Sequence, residues 1–307
     1  MDLGLFGINM NLLGTDPAAA VTVARAAEAA GWESVWAGEH YVLPDPRTPT
    51  SPARPETPML DPFVALANVA AHTTTLLVAT GVIVVPLHPP LMLAKHVASL
   101  DRVSGGRFLF GVGAGYLAPE FEALGVPMAG RGDRLDDHLD ALEAVWTSAP
   151  AAHDGPYTRF TGVRAEPRPL RQPGPPLHVG GHSPRAYERA VTRGHGWYGF
   201  ALGVDATADC LDALRRAQDE HPRPPELGPL EVSVTPDPRI DLDDATVAAY
   251  AGLGVTRLIP LPPRRAADVG DIVRFVDELG ERVARHPDLG HPDLRSRRRP
   301  SPPSAPG

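Results

Sequence analysis

The chain has 307 residues, of which 43% are hydrophobic, and its formal net charge is −8. The hydrophobic content is ample for one large core, and the negative charge is spread along the chain, so we expect no positive field able to hold nucleic acid. The single cysteine, Cys210, excludes internal disulfides and cysteine-based zinc sites and is typical of a reducing compartment. With no signal-peptide pattern in residues 1–30 and no apolar run of membrane-spanning length, we expect a cytoplasmic protein without a membrane partner.

Short apolar runs alternate with helical patterns from the first residues onward. A strand is predicted at residues 3–8, and the helix after it begins with Asp16 as N-cap and ends at Gly31. A short strand at residues 34–36 leads into a long loop rich in proline, which is typical of a functional or mobile segment. The next helix begins at Asp61, which again precedes a proline.

Residues 76–116 form one complete unit of strand, helix and strand. The run 76–85 is too apolar and β-branched to be half exposed, which is typical of a parallel strand covered on both faces. Its helix begins at Pro90 and ends at Gly105, and a second buried strand follows and ends in glycines. Units of this kind connect the neighbouring strands of a parallel sheet.

The second half of the chain continues the alternation after one interruption. A helix at residues 131–146 is followed by an excursion at 149–176, in which we expect a small hairpin. The later strands are predicted at residues 177–179, 196–198, 230–235 and 255–259. Eight pairs of strand and helix predict an α/β fold of the (β/α)8 TIM-barrel type, because helices must cover the outside of a closed parallel sheet. An open doubly wound sheet has the same periodicity and stays as the alternative.

The composition changes near the C-terminus. We expect residues 1–286 to form the barrel domain and residues 287–307, rich in proline and arginine, to form a disordered tail.

In a barrel, catalytic groups lie at the C-terminal ends of the strands. This rule selects five segments, of which we expect the first four to share one cavity: Asn9 and Asn11, Glu39 and His40, residues 81–88, residues 113–116, and residues 180–183.

Two of these segments are rich in glycine. The spacing G-x-G-x-G at residues 111–115 supports a dinucleotide fold only weakly, and it suits either a flat ligand beside the strand or a simple turn. The segment from Gly180 to Ser183 precedes a helix N-terminus, which favours either a phosphate site or a tight turn with an N-cap. Arg185 stands where a nucleophile elbow requires glycine, so serine hydrolase chemistry is not expected.

The pair Glu39 and His40 is the best candidate for proton transfer. Histidine exchanges protons near neutral pH, and an adjacent carboxylate can orient it, although neighbours along a chain need not touch. No H-E-x-x-H motif occurs, and His72, His88 and His96 have no convincing ligand spacing, so a metal site is not expected.

Four stretches, spread over residues 1–285, have a recognisable pattern: AEAAGWESVWAGEHYVLP, ATGVIVVPLHPPLMLAKHVASLDRVSGGRFLFGVGAG, GRGDRLDDHLDALEAVW and HVGGHSPRAYERAVTRGHGWY. Together they resemble the bacterial luciferase-like flavin oxidoreductase family, and most of all its branch that uses the deazaflavin coenzyme F420. The resemblance implies a (β/α)8 barrel with the ring of the cofactor lying across its C-terminal mouth.

The resemblance also implies roles for residues at that mouth. The histidine beside an acidic residue after the second strand matches His40 and Glu39, and it lies near the ring in the family. The bulge with a cis peptide that backs the ring matches Gly81 and Val82. The turn that holds the cofactor phosphate corresponds to Gly180, Gly181, His182 and Ser183.

After the fourth strand the chain departs from the pattern of the F420-dependent branch. Some members of that branch have Thr-Gly-Glu where this chain has Ala114, Gly115 and Tyr116. The acid role of that glutamate therefore does not transfer, and Tyr116 is left as a possible hydroxyl donor. Ala114 and Gly115 are expected beside the cofactor.

We therefore expect an F420-dependent enzyme that transfers a hydride to or from a small organic substrate, with His40 as proton donor or acceptor and Glu39 orienting it. The alternatives are an FMN-dependent monooxygenase and, from another class, a barrel that binds a cofactor without turnover. A homodimer is expected because dimers are usual in the family.

Overall fold

The computed structural model describes residues 1–285, and its main sheet is a closed parallel barrel. The strands are β1 (Asp2–Phe6), β2 (Ser34–Ala37), β3 (Leu77–Thr80), β4 (Ile83–Val84), β5 (Phe108–Gly113), β6 (Ala151–Asp154), β7 (Arg159–Val163), β8 (Leu177–Gly180), β9 (Gly196–Leu202), β10 (Glu231–Pro236) and β11 (Arg257–Leu258). Around the barrel the order is β3, β2, β1, β11, β10, β9, β8 and β5, and β5 pairs with β3 to close the ring. The predicted barrel is confirmed, and the closed sheet excludes the open alternative.

Helices follow the barrel strands and cover the outside of the sheet. They are α1 (Asn11–Thr15), α2 (Pro17–Ala29), α3 (Pro62–His72), α4 (Pro90–Val103), α5 (Ala118–Ala123), α6 (Arg131–Thr147), α7 (Pro184–Thr192), α8 (Val204–Glu220), α9 (Asp244–Gly252) and α10 (Val269–Ala284). The N-cap side chains of α2, α3 and α7 accept hydrogen bonds from first-turn N–H groups, as their sequences predict: Asp16, Asp61 and Ser183. None of the helices within residues 1–285 is long and apolar enough to cross a membrane.

Most of the apolar core lies between the strands and the surrounding helices, where Val78, Val97 and Phe110 are buried. A second cluster fills the inside of the barrel and includes Phe6, Trp36 and Tyr198. The rings of Trp36 and Tyr198 are stacked with their centroids 5.2 Å apart. This inner cluster fills the barrel beneath the mouth, as layers of side chains do in barrels of this type.

Three local predictions differ from the structure. The strand predicted at residues 76–85 is split into β3 and β4 at Gly81 and Val82, because that peptide bond is cis. No helix was predicted between β1 and Asp16, but α1 lies there. None was predicted between β5 and residue 131 either, but α5 follows Tyr116 closely.

The excursion between β5 and β8 contains the predicted hairpin, since β6 and β7 pair antiparallel. The tail predicted at residues 287–307 lies outside the described residues.

Candidate active site

A cavity of about 730 Å³ opens at the carboxyl ends of the barrel strands. The residues predicted after the second to fifth barrel strands to transfer protons or to bind the cofactor line this cavity, and they come from the ends of β2, β3, β5 and β8. These residues are Glu39, His40, Gly81, Val82, Ala114, Gly115, Tyr116, Gly180, Gly181, His182 and Ser183. The parallel barrel brings them together because the carboxyl ends of its strands all lie at one rim.

The floor of the cavity is the cis peptide bond between Gly81 and Val82. A Cβ atom at position 81 would lie 3.1 Å from ring atoms of Phe6 and Trp36 and 3.3 Å from the ring of Tyr198. The inner aromatic cluster therefore presses directly against this peptide, and only glycine fits there without displacing a ring.

The side chain of Val82 lies between two glycines of the neighbouring strands. A Cβ atom on Gly113 would be 2.8 Å from one methyl of Val82, and a Cβ atom on Gly180 would be 2.7 Å from the other. Gly113 and Gly180 thus leave room for the bulge, and this packing accounts for them without a ligand.

The segment after β8 forms the tight turn that one interpretation predicted. Gly181 has a φ of +126°, and its carbonyl accepts a hydrogen bond from the Trp197 indole at 2.9 Å. The Ser183 hydroxyl oxygen accepts from the N–H of Ala186 at 3.3 Å and caps α7. His182 Nε2 accepts from the N–H of Phe200 at 3.3 Å, and burial lowers the pKa of this imidazole, so it stays neutral. The turn and the N-cap are present, and phosphate binding by this segment stays a prediction.

His40 is held by a carboxylate that lies far away in sequence. Its Nδ1 is 2.8 Å from Oε2 of Glu120, and Oε1 of Glu120 accepts from the N–H of Tyr41 at 2.6 Å. The side chain of Glu120 is only 1% exposed and that of His40 is 13% exposed. Because an ionised carboxylate can only accept, Nδ1 donates to it, and Nε2 is the nitrogen left for the cavity.

The prediction that Glu39 orients His40 is wrong. Oε1 of Glu39 lies 2.9 Å from Nε2 of His88, and Oε2 accepts from the N–H of Val84 at 2.7 Å. Successive side chains at the end of a strand point to opposite sides, so the neighbours Glu39 and His40 diverge. Glu39 instead ties the end of β2 to β4, just beyond the cis peptide.

Tyr116, which the sequence left as a possible hydroxyl donor, lies beside His40. Its hydroxyl is 3.5 Å from His40 Nε2, and the two rings meet edge to face with centroids 5.9 Å apart. Partial burial and the charge of Glu120 raise the pKa of Tyr116 to about 12. The phenol is therefore neutral at ordinary pH and able to donate a hydrogen bond.

Sequence reasoning missed Glu120 because α5 was not predicted. A signal for it was present, since Pro119 in the first turn and an acidic residue directly after it are typical of a helix start. Three arginines that line the cavity were also missed: Arg131, Arg185 and Arg189. Arg131 is the first residue of α6, and Arg185 and Arg189 lie in α7, so the strand-end rule does not select them.

The remaining strand-end candidates, Asn9 and Asn11, are not among the residues that line the cavity. Asn9 is buried, and its amide donates to the carbonyls of Gly38 and Leu60 at 2.8 and 2.7 Å, which fixes the start of the long loop. Asn11 is the first residue of α1 and does not line the cavity. Within residues 1–285, no group of three or more His, Cys, Asp or Glu side chains could hold a metal ion.

Known proteins resemble this chain over nearly its whole length. A family model described as luciferase-like monooxygenase matches residues 3–287. An uncharacterized protein of Mycobacterium tuberculosis is 31% identical over 282 residues, covering 88% of this chain and 95% of the relative.

Two solved structures with a cofactor in their description share the fold. An F420-dependent secondary alcohol dehydrogenase, in complex with an F420-acetone adduct, has a TM-score of 0.74 at 15% identity and covers 91% of this chain and 97% of its own. The oxygenating constituent of 3,6-diketocamphane monooxygenase of Pseudomonas putida, in complex with FMN, has a TM-score of 0.71 at 17% identity and covers 93% and 98%. At these identities the likeness shows the fold alone.

Proposed function

The chain belongs to the luciferase-like monooxygenase family, and from this premise we propose that it is a coenzyme F420-dependent oxidoreductase that transfers a hydride between the deazaflavin and a small organic substrate. The observation that supports the proposal best is a chain of contacts at the edge of the cavity, in which His40 lies between Glu120 and the hydroxyl of Tyr116. Hydride transfer to a carbonyl, or from an alcohol, needs a proton donor or acceptor at the same place.

The residues of the cavity fit a flavin-like cofactor. The volume of about 730 Å³ lies in the range of cofactor pockets. The bulge at Gly81 and Val82 offers an apolar floor for a flat ring, and the turn from Gly181 to Ser183 lies on the same wall as the N-terminus of α7. A bound deazaflavin would supply the carbon that accepts or gives up the hydride.

His40 is proposed to move the proton. In its neutral form, Nε2 accepts a proton from the substrate hydroxyl during oxidation, and the positive charge that forms is stabilised by Glu120 at 2.8 Å from Nδ1. In the reverse direction, the protonated imidazole donates from Nε2 to the oxygen of a carbonyl that is being reduced. General acid–base assistance of this kind contributes roughly 10²–10⁴-fold to the rate.

The lining of the cavity is largely apolar. Phe6, Met10, Met59 and Phe200 line it, and Pro52 comes from the long loop after β2. These side chains favour a substrate whose only polar group meets His40 and Tyr116, because an unpaired polar group elsewhere would lose its hydrogen bonds to water.

An FMN-dependent monooxygenase is the second candidate, since the FMN complex of the Pseudomonas enzyme has the same fold. The third, a barrel without turnover, rested on the lack of a carboxylate after the fourth barrel strand. Glu120 supplies a carboxylate beside His40 from α5, so that reason for the third candidate is removed.

Binding and redox spectra of the purified protein test the proposal. The protein is titrated with F420 and with FMN, and reduced F420 is then mixed anaerobically with a panel of small ketones and aldehydes while its absorbance is recorded. Reoxidation of F420 by a carbonyl compound supports the proposal. Tight FMN binding with no affinity for F420 contradicts it, and F420 binding without hydride exchange favours the barrel without turnover.

The expected homodimer and cytoplasmic location are part of the same proposal. Light scattering of the purified protein measures its oligomeric state.

A further inference from the structure

Three arginines line the cavity, and two of them are paired with acids. Arg189 is 5% exposed, and its guanidinium makes two hydrogen bonds to the carboxylate of Asp136, at 2.6 and 2.8 Å. Arg185 lies 3.1 Å from Glu188 and 3.5 Å from Asp133. The charges of Arg185 and Arg189 are therefore compensated by neighbouring carboxylates.

Arg131 is different because its charge faces the cavity without an acidic partner. Its Nε donates to the carbonyl of Gly115 at 2.9 Å, which fixes the plane of the guanidinium, and its two terminal nitrogens have no protein acceptor within residues 1–285. The two acidic residues that line the cavity have their own partners: Glu39 contacts His88 and Val84, and Asp133 contacts Arg185. The cavity wall thus holds one uncompensated positive charge.

This charge lies on the same wall as the turn after β8. Arg189 of α7 donates to the carbonyl of Gly132 at 3.3 Å, and Arg185 reaches Asp133, so the first turn of α6 is joined to the first two turns of α7. Ser183 is the N-cap of α7. Arg131 and Ser183 therefore border one region of the cavity.

The hairpin of β6 and β7 holds the start of α6 in this place. A Cβ atom on Gly130 would lie 2.6 Å from the Tyr157 hydroxyl, so the residue before Arg131 packs directly against the hairpin. The Arg134 guanidinium lies over the ring of Tyr157 at 4.8 Å. The excursion in the barrel sequence thus supports the segment that carries Arg131.

We propose that Arg131 binds the phosphate of the cofactor, with its two terminal nitrogens, next to the turn from Gly181 to Ser183. A guanidinium with two parallel N–H donors matches a phosphate oxygen pair, and a fixed guanidinium loses little side-chain entropy on binding. The inference rests on the proposed function, because it requires a flavin-like cofactor with a phosphate. In this proposal, Arg131 is the residue that makes the protein bind the phosphorylated form of the cofactor more tightly than the unphosphorylated form.

The test measures affinity for cofactor pairs that differ in the phosphate, by fluorescence titration of the full chain. The pairs are FMN with riboflavin, and F420 with its deazaflavin chromophore that lacks the phosphate and the tail beyond it. In the wild type the phosphate-bearing member of one pair binds more tightly. In Arg131→Gln this advantage falls by about 10- to 100-fold, while affinity for the unphosphorylated member is unchanged, since a charged hydrogen-bonded pair is lost.

Two variants serve as controls. Arg193→Gln removes the same charge from a residue that pairs with Asp140 and does not line the cavity, and its phosphate preference is expected to equal that of the wild type. Arg131→Lys keeps the positive charge but lacks the two parallel N–H donors of the guanidinium. It is therefore expected to retain part of the preference for the phosphate-bearing compound. Circular dichroism and thermal unfolding verify that each variant is folded.

An Arg131→Gln protein that is folded and keeps the wild-type preference overturns the inference, and the proposed function would still stand. A wild type that binds both members of each pair equally also overturns it. A wild type that binds none of the four compounds overturns the proposed function and this inference with it.

Discussion

Two glutamate–histidine pairs lie close together at the mouth of the barrel, and their surroundings differ. The pair of Glu120 and His40 borders the cavity, with Nε2 of His40 beside the Tyr116 hydroxyl. Glu39 also lines the cavity, but one of its carboxylate oxygens contacts His88 and the other accepts from a backbone N–H of β4. The side chains of Glu39 and His88 are 2% and 5% exposed, and we call them the sealed pair because both carboxylate oxygens have protein partners.

The same chemical pair can therefore border a cavity or join two strands, and only the first arrangement suits the proton transfer that we propose. What differs is the second nitrogen of the histidine, which faces a ligand cavity in His40 and the hydroxyl of Tyr41 in His88, at 3.3 Å. A proton can be exchanged with a substrate only in the first case. The second pair fixes the strand that follows the cis peptide and so shapes the floor on which a cofactor would lie.

Replacement of His40 should have the largest effect on turnover. In His40→Gln we expect kcat to fall by about 10²–10⁴-fold, because the proton donor and acceptor is lost, while cofactor affinity and unfolding stay near those of the wild type. Steady-state kinetics and a cofactor titration measure the two quantities.

The matched control is His88→Gln, the same exchange in the sealed pair. It should lower the free energy of unfolding more than His40→Gln does and lower kcat less. Equal losses of kcat in the two variants would erase the functional difference between the pairs.

Removal of the other carboxylate tests the scaffolding role. Glu39→Ala leaves the N–H of Val84 and the His88 imidazole without their acceptor in a buried place. We expect the free energy of unfolding to fall by about 3 kcal/mol, measured by urea denaturation. Glu143→Ala, an exposed position on α6, should change it by less than about 0.5 kcal/mol. If the two variants are equally stable, the sealed pair has no structural role.

A third histidine sharpens the contrast because it is buried without a hydrogen-bonded carboxylate. His178 in β8 is 1% exposed, its Nδ1 has no hydrogen-bond partner within residues 1–285, and Glu231 is 3.7 Å from its Nε2. Burial lowers the pKa of His178 from 6.5 to about 3. Below pH 6.5 the unfolded chain therefore binds a proton that the folded protein does not, so stability falls as the pH drops towards 3.

As the pH falls from 7 to 5, the buried neutral His178 should lower the free energy of unfolding by about 2 kcal/mol. The pH dependence of urea unfolding is compared between the wild type and His178→Gln, since the difference isolates this residue from the other titrating groups. Parallel curves for the two proteins over this interval would show that His178 is not held neutral by the fold.

The smallest effect is expected at Tyr116, which is 53% exposed and only loosely bonded to His40 at 3.5 Å. In Tyr116→Phe we expect kcat to fall by about 2- to 10-fold, the effect of losing one weak hydrogen bond. The measurement is steady-state turnover at a saturating concentration of the substrate. A loss as large as that in His40→Gln would make the tyrosine the proton donor and His40 its support.

The local sequence predicted the elements well because their signals are local. Asp16, Asp61 and Ser183 cap their helices through hydrogen bonds to residues two or three positions away, and buried parallel strands require continuous apolar runs. The bulge with a cis peptide at Gly81 and Val82 was predicted through the family resemblance. The structure shows why residue 81 is glycine, since it packs against three rings that come from other strands.

Local sequence patterns did not reveal which carboxylates contact His40 and His88. Glu120 is 80 positions from His40, and His88 is 49 positions from Glu39, so neither contact leaves a periodic or adjacent pattern. Adjacency in sequence suggested the pair of Glu39 and His40, and the alternation of side chains at a strand end separates them. The unpaired state of Arg131 likewise depends on which arginines the helices α6 and α7 bring to carboxylates.

The sequence by itself determined the barrel, the hairpin and most of the strand-end residues that line the cavity, because apolar periodicity, caps and parallel strand geometry are encoded over short stretches. Only the tertiary structure decided which carboxylate meets which histidine and which arginine remains without an acid. Those pairings depend on distances between side chains of different strands and helices, which are set by closure of the barrel and not by any neighbouring residue.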